Sequence, residues 1–354
     1  MAYSLRYERL KNLEFLIKNT CLYEEKNGKY MSGNEKYLQL AAGIQRHDWD
    51  EDEDLIVKGS DYEYYVTQFQ GTAFASDYQC YKVAGKEKIS GKSTSAVYVE
   101  VQFVVKISNM LESKMLLMLH GQNFPVPFVG YVLGSKRDPQ SAMLFESFVP
   151  GQELFQVDTV SAWKKAAETI AEIHAHYWNL SDQKSAWWNN FGNCQASSIF
   201  RFEEKISNMN SRAGVWKETV RTVREHLEKA PKTLVHGDLF PTNILLDEKG
   251  CWLIDWANAG EFPYFMDLGR LTGIIREDTE RMCKYEAEIC KVYYGKMQTF
   301  LNITYEEFLK EVYMGQFIEC ANTYIPPHPL FGANNSKYNT AIKARMDALS
   351  SYIL

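Results

Sequence analysis

The 354-residue chain has no long apolar run. Its longest uncharged apolar stretch, Phe124 to Gly134, is broken by Pro125 and Pro127 and is too short to cross a bilayer as a helix. It has no C-x-x-C pair. The seven cysteines are scattered, and Cys283 and Cys290, the nearest to a regular pairing, stand at helical rather than ligand spacing. A reducing compartment without structural zinc is therefore expected. There is no excess of basic charge: 39 Lys and Arg against 45 Asp and Glu give a formal net charge of −6. That balance argues against nucleic acid as a partner, which would demand neutralisation of phosphates. An apolar leader is missing too, because Arg6, Glu8, Arg9, Lys11 and Glu14 occupy the first residues. No internal repeat or low-complexity tract occurs. The expectation is a soluble, cytoplasmic chain with neither a nucleic-acid nor a membrane partner.

What is present is core-forming material. The chain is 45% hydrophobic and only 24% charged, which excludes a disordered or fibrous protein. Its length suggests two domains, or one large domain with lobes. Residues 1–60 read as an extension, with Leu10, Leu13 and Ile17 marking an amphipathic helix over 4–19. Six acidic residues between Asp48 and Asp54, interrupted by Trp49, lack the turn glycine of a calcium loop and read as solvated. From residue 62 the period becomes two. Tyr62–Gln70, Tyr78–Ala84, Ala96–Ile107, Phe124–Gly134 and Ala142–Phe148 read as five antiparallel strands. A helix carrying Leu111, Met115 and Leu119 precedes the fourth strand. After Pro150-Gly151 the pattern is helical: a helix capped by Asp158 runs to about Trp178, and others are expected over 200–229, 276–300, 304–322 and 336–352. Leu234 to Ile254 interrupts them with short strands around a polar loop.

That loop carries the chemistry. Leu234-Val-His-Gly-Asp-Leu-Phe-Pro-Thr-Asn-Ile-Leu-Leu246 is followed by Trp252-Leu-Ile-Asp-Trp256. Asp238 and Asn243 are five apart, and Asp255 comes twelve residues later, after a hairpin turning at Asp247-Glu-Lys-Gly250. In a phosphoryl-transfer loop the first Asp takes the proton of the attacking hydroxyl, and the Asn and later Asp hold Mg²⁺. A hard cation requires oxygen ligands of this kind.

The pattern H-G-D-x-x-x-x-N followed by I-D-W resembles the aminoglycoside phosphotransferase and choline kinase family, the small-molecule branch of the protein-kinase-like fold. Gly237 stands where protein kinases carry Arg. The resemblance implies an α+β, bilobal fold with a five-stranded N-terminal lobe over 61–148 and a larger, mainly helical lobe over 149–354. It also implies ATP or GTP and Mg²⁺, with Asp238 as base and Asn243 and Asp255 as metal ligands. In the family a Lys at the end of the third strand binds phosphate and a Glu on the next helix orients it, which implicates Lys106 and Glu112. Asn109-x-x-Glu112 also reads as a capping box, and the two roles are compatible.

Further positions follow from the same resemblance. Gly71 to Tyr78 sits where the phosphate-covering loop lies, with Gly71 and Ser76 as its candidates. Ala142 to Gly151 resembles the interlobe hinge, which implicates the main chain of Glu146 and Phe148 in adenine binding. His174, His236 and Asp267 are implied supports of the catalytic loop, Asp267 as a helix cap. Gly91-Lys-Ser-Thr94 imitates the tail of a Walker A loop, but Gly85 stands one residue too far upstream and a strand follows. The acceptor is expected to be a small polar molecule. Glu261 and Trp256 are candidates for holding it, and an aminoglycoside-like cation, a choline-like amino alcohol and a sugar all stay open. Trp256-Ala-Asn-Ala259 lacks the Glu usual in choline kinases at this point. A catalytically idle nucleotide-binding module is the rival from another class.

Overall fold

The structure is a computed structural model that describes residues 20–22, 35–47, 49, 55–68, 80–89, 97–135, 141–179, 213–273, 284–324 and 336–354. The expected helix over 4–19, most of the acidic run, Gly71, Ser76 and the Gly91–Thr94 turn lie outside the described residues. The chain divides into two compact units, Met1–Val149 and Pro150–Leu354.

The first unit is built on one antiparallel sheet. Its strands are β1 (Thr20–Leu22), β2 (Leu55–Lys58), β3 (Tyr62–Gln68), β4 (Cys80–Ile89), β5 (Val97–Asn109), β6 (Val129–Ser135) and β7 (Ser141–Ser147), with helices α1 (Glu35–Arg46) and α2 (Met110–Gly121). The order across the sheet is β1-β6-β7-β5-β4-β3-β2. Seven strands thus replace the five expected. The two extra ones, β1 and β2, come from residues 1–60, which the sequence sets apart as an extension, and both are too short to show a period. Phe124 to Phe128, expected to begin a strand, instead forms the connection ahead of β6. Pro125 and Pro127 there cannot donate to a ladder.

Alternation sorts the side chains to two faces. Tyr64 and Val66 of β3, Tyr81 and Val83 of β4, Val105 of β5 and Met143 and Phe145 of β7 pack with Leu40, Ala41 and Ile44 of α1. The opposite face meets α2, whose Met115, Leu116 and Leu119 are fully buried. Strand β7 lies between β5 and β6 and is buried from Ala142 to Glu146 without interruption, as a strand covered on both faces must be.

The second unit holds β8 (Gln152–Glu153), α3 (Leu154–Val157), α4 (Val160–His176), α5 (Ala213–Lys229), β9 (Lys232–Val235), β10 (Ile244–Asp247), β11 (Gly250–Leu253), β12 (Gly260–Pro263), α6 (Phe265–Thr272), α7 (Glu286–Leu301), α8 (Tyr305–Tyr324) and α9 (Ser336–Ile353). The cap of α4 is Thr159, whose Oγ1 accepts from Ala162 N at 3.3 Å. Asp158, expected in that role, instead closes α3 in a left-handed conformation, so its backbone belongs to the preceding turn. A stack of rings, Tyr264, Tyr293 and Phe308, with near-parallel planes, joins α6, α7 and α8.

Helices α6 and α8 cross backbone against backbone. A Cβ on Gly269 would meet the carbonyl carbon of Gly315 at 2.2 Å, and one on Gly315 would meet the oxygen of Phe265 at 2.1 Å. Gly315→Ala is therefore expected to destabilise the protein by about 1–3 kcal/mol through overpacking, read by urea denaturation. Gly295→Ala in α7, where nothing lies within 4 Å of the new methyl, is expected to stabilise it by about 0.4–1 kcal/mol.

Candidate active site

The loop after β9 begins with two backbone N–H groups that need acceptors. His236 N donates to Oδ2 of Asp267 at 2.6 Å and Gly237 N donates to Oδ1 at 2.9 Å. Asp267 is wholly buried and lies in the first turn of α6, whose cap position is Tyr264. Its carboxylate acts across space on the loop, which differs from the local cap expected of it. His174 of α4 completes it, with Nε2 3.1 Å from Asp267 Oδ2 and Nδ1 2.6 Å from the hydroxyl of Tyr293. The three implied supports thus meet in one buried cluster.

Gly237 has φ of 78°, in the region that favours glycine, and a Cβ there would lie 2.0 Å from the carbonyl oxygen of Asn258. No larger residue fits, which gives a physical reason for glycine at this position. His236 bridges in the same direction: Nε2 lies 2.8 Å from the oxygen of Ile254, and Nδ1 accepts from Asp238 N at 3.2 Å. Those contacts describe a neutral ring with its proton on Nε2. Both nitrogens are occupied, so the ring is a spacer between the loop and the end of β11.

Asp238 follows, with its side chain about one-fifth exposed. The amide nitrogen of Asn243 donates to Asp238 O at 2.9 Å and reaches Oδ2 at 3.3 Å. With its nitrogen on Asp238, Asn243 keeps its side-chain oxygen as the group that could serve a cation. Strands β10 and β11 pair Ile244 with Leu253, and Ile254 N donates to Asn243 O at 3.0 Å. That hairpin returns Asp255 beside Asn243. Asp255 is half-buried and left-handed, with φ of 67°, a strained setting that Asp tolerates better than most residues.

Two residues escaped the sequence reading. Arg270 of α6 donates from Nε at 3.1 Å and from Nη2 at 2.5 Å, both to Asp238 Oδ1. Its Nη1 donates to Glu319 of α8, and its guanidinium lies 3.8 Å from the centre of the Phe240 ring. Burial opposes the charge of Arg270, but Glu319 and Asp238 more than offset it and hold the guanidinium above its ordinary pKa. The signal was present: Asp267 and Arg270 are three apart and share a helix face.

In the first unit, Lys106 and Glu112 meet. Lys106 ends up on the α2 face of β5, and its Nζ donates to Glu112 Oε1 at 2.9 Å with both side chains buried. Ser108, on the same face, donates to Oε2. Glu112 N in turn donates to Asn109 Oδ1 at 2.9 Å, so the cap and the ion pair coexist. Glu146 is buried within β7, whereas Phe148 follows the last paired residue and carries Lys82 4.5 Å above its ring. Of the acceptor candidates, Glu261 is half-buried on β12, opposite Leu234. Trp256 is a correction: it is fully buried, lies 4.5 Å from the His236 ring and donates its indole N–H to Leu253 O. Its place in the core leaves it no surface for an acceptor.

Residues 89–287, more than half of the chain, match the profile of the phosphotransferase enzyme family. No curated protein matches the sequence. Among solved structures, an ethanolamine kinase from Plasmodium vivax is similar, with 14% identity over 96% of this chain and 94% of that one and a TM-score of 0.54. A spectinomycin phosphotransferase in complex with ADP and spectinomycin has 15% identity over 82% and 92%, with a TM-score of 0.48. A choline kinase from Streptococcus pneumoniae has 12% identity over 90% and 99%, with a TM-score of 0.49. The fold is the protein-kinase-like one.

The role of Asp267 is open to a direct check. Asp267→Asn turns an amide group on two donors and leaves at least one loop N–H unsatisfied. The expected cost is about 1–3 kcal/mol in denaturation. Amide exchange at His236 and Gly237 is expected to accelerate beyond the change in global stability.

Proposed function

The chain belongs to the phosphotransferase enzyme family, and on that premise we propose that it moves the γ-phosphoryl of ATP, or GTP, to a hydroxyl of a small polar molecule. The observation that carries this reading is the hydrogen-bonded pair Asp238–Asn243, in a loop pinned by Asp267 and followed by a hairpin that returns Asp255.

In this reading Asp238 orients the acceptor hydroxyl and takes its proton at a carboxylate oxygen. Asn243, through its oxygen, and Asp255, through its carboxylate, would hold Mg²⁺. The donor set fits, since both groups offer oxygen and the amide nitrogen of Asn243 is already spent on Asp238. When bound, the metal supplies charge stabilisation at the phosphates. Lys106 serves the nucleotide phosphates and Glu112 with Ser108 holds its ammonium in one direction. Glu146 and Phe148 serve adenine by their main chains. Catalysis of this kind is largely positioning and electrostatics, which suits so heavily braced a loop.

For the acceptor, the net charge of −6 and the carboxylates of Asp238 and Glu261 favour a polar, cationic molecule of the aminoglycoside type. With Trp256 in the core, the nearest candidate wall for a quaternary-ammonium cage is lost, which disfavours choline.

Asp238→Ala is expected to abolish phosphotransfer, a loss of at least about 10²-fold, while nucleotide binding survives. Retained turnover would remove the central assignment. Asp255→Ala is expected to weaken nucleotide binding only in the presence of Mg²⁺; unchanged metal-dependent affinity would count against its ligand role. Mass spectrometry of Mg-ATP incubations with aminoglycosides, amino alcohols and sugars identifies the acceptor by the gain of one phosphoryl group. Absence of Asp238-dependent ATP hydrolysis without acceptor would instead mark an idle nucleotide-binding module.

A further inference from the structure

We infer that Arg270 is the positioning residue of Asp238, and that Glu319 in turn positions Arg270. The inference rests on the phosphotransfer reading above and concerns the direction in which the Asp238 carboxylate faces.

Asp238 stands in a loop with a partly exposed side chain, so the direction of its carboxylate depends on what that carboxylate meets. Arg270 sets that direction. Two donors of one rigid, planar fork, Nε and Nη2, converge on Oδ1. Oδ2 then faces Asn243, whose amide nitrogen stands 3.3 Å away. That distance makes a weak hold and leaves Oδ2 as the oxygen able to accept a proton. Aspartate acting as a base needs this division of labour between its oxygens, one tethered and one available.

The fork is itself fixed on three sides. Phe240, two residues beyond Asp238, covers one face of the guanidinium, and Glu319 holds Nη1. The third constraint is the helix. Asp267 and Arg270 are one turn apart on α6, so a single turn grips three consecutive loop residues: two by their backbone N–H groups and the third by its carboxylate. On α8, Gly315 and Glu319 are likewise one turn apart. The bare crossing at Gly269 and Gly315 brings the axes together, and one layer further along Glu319 reaches Arg270.

The test uses the full chain with Mg-ATP and water as acceptor, and the hydroxyl acceptor itself once the mass screen names it. Arg270→Ala is expected to lower kcat by about 10²-fold, with the KM for ATP and the nucleotide affinity unchanged. Millimolar guanidinium is expected to restore part of the lost rate, which a purely structural defect would not allow. Arg270→Lys is expected to fall between the two, because an ammonium cannot reproduce the fork. Should Arg270→Ala fail to fold, Glu319→Gln keeps Arg270 and Asp238 and removes only the negative charge that faces Nη1; a kcat loss of about tenfold or more is then expected. Turnover unchanged or raised in Arg270→Ala would overturn the inference, the second result marking the contact as a block on the base. An active wild type with unaffected variants strikes this inference alone. An inactive wild type strikes the phosphotransfer reading and this inference with it.

Discussion

Much of the second unit is arranged around one carboxylate. Asp267 is fully buried, and a carboxyl group in that setting is tolerated only when its oxygens are fully engaged. The loop after β9 meets that need with two successive N–H groups, which would otherwise be orphaned by the turn at Gly237. The remaining demand draws in His174 from α4, and His174 draws in Tyr293 from α7. Because Asp267 sits in the first turn of a short helix, α6 has to lie deep, and α8 gives it room only where Gly315 has no side chain. Four helices are thereby committed to the conformation of three loop residues.

The first unit meets a similar difficulty at a smaller scale. A lysine that is 8% exposed needs a paired partner, and Glu112 supplies it from the first turn of α2, with Ser108, on the same face of β5, donating to the other Glu112 oxygen. Such a pair adds little net stability, since desolvation offsets the attraction. What it secures is direction. The same holds for Asn109, whose side chain caps α2 at Glu112 N and so sets the height of the carboxylate above the sheet.

The sequence revealed these features unevenly, for reasons that lie in the range of each interaction. Strands β3 to β5 announce themselves because period two persists over seven residues or more, and β7 because it is a short apolar run bounded by turn residues. Strands β1, β2, β8 and β12 have at most four residues, too few to show a period, and the partners of β1, β8 and β12 are also remote in sequence. The proximity of Asp238, Asn243 and Asp255 was legible because five residues of loop and one short hairpin separate them. Glu112 was legible both as the residue capped by Asn109 and as the partner of Lys106, and its backbone and side chain make those two contacts. Arg270 was missed because its meaning depends on Glu319, 49 residues later, and on a crossing that only two glycines permit. Trp256 misled in the opposite sense: an aromatic beside a candidate site residue looks available until its burial is known.

The meeting of Gly269 and Gly315 has one more consequence, a mechanical one. Side-chain layers between helices yield by rotamer changes, but backbone against backbone has no such slack. Helices α6 and α8 therefore behave at this point as a single stiff piece. A displacement of α8 arrives at the loop undamped, through Arg270 and Asp267 together. Asp238 is thus tied to the helical scaffold itself rather than left on a pliable surface loop.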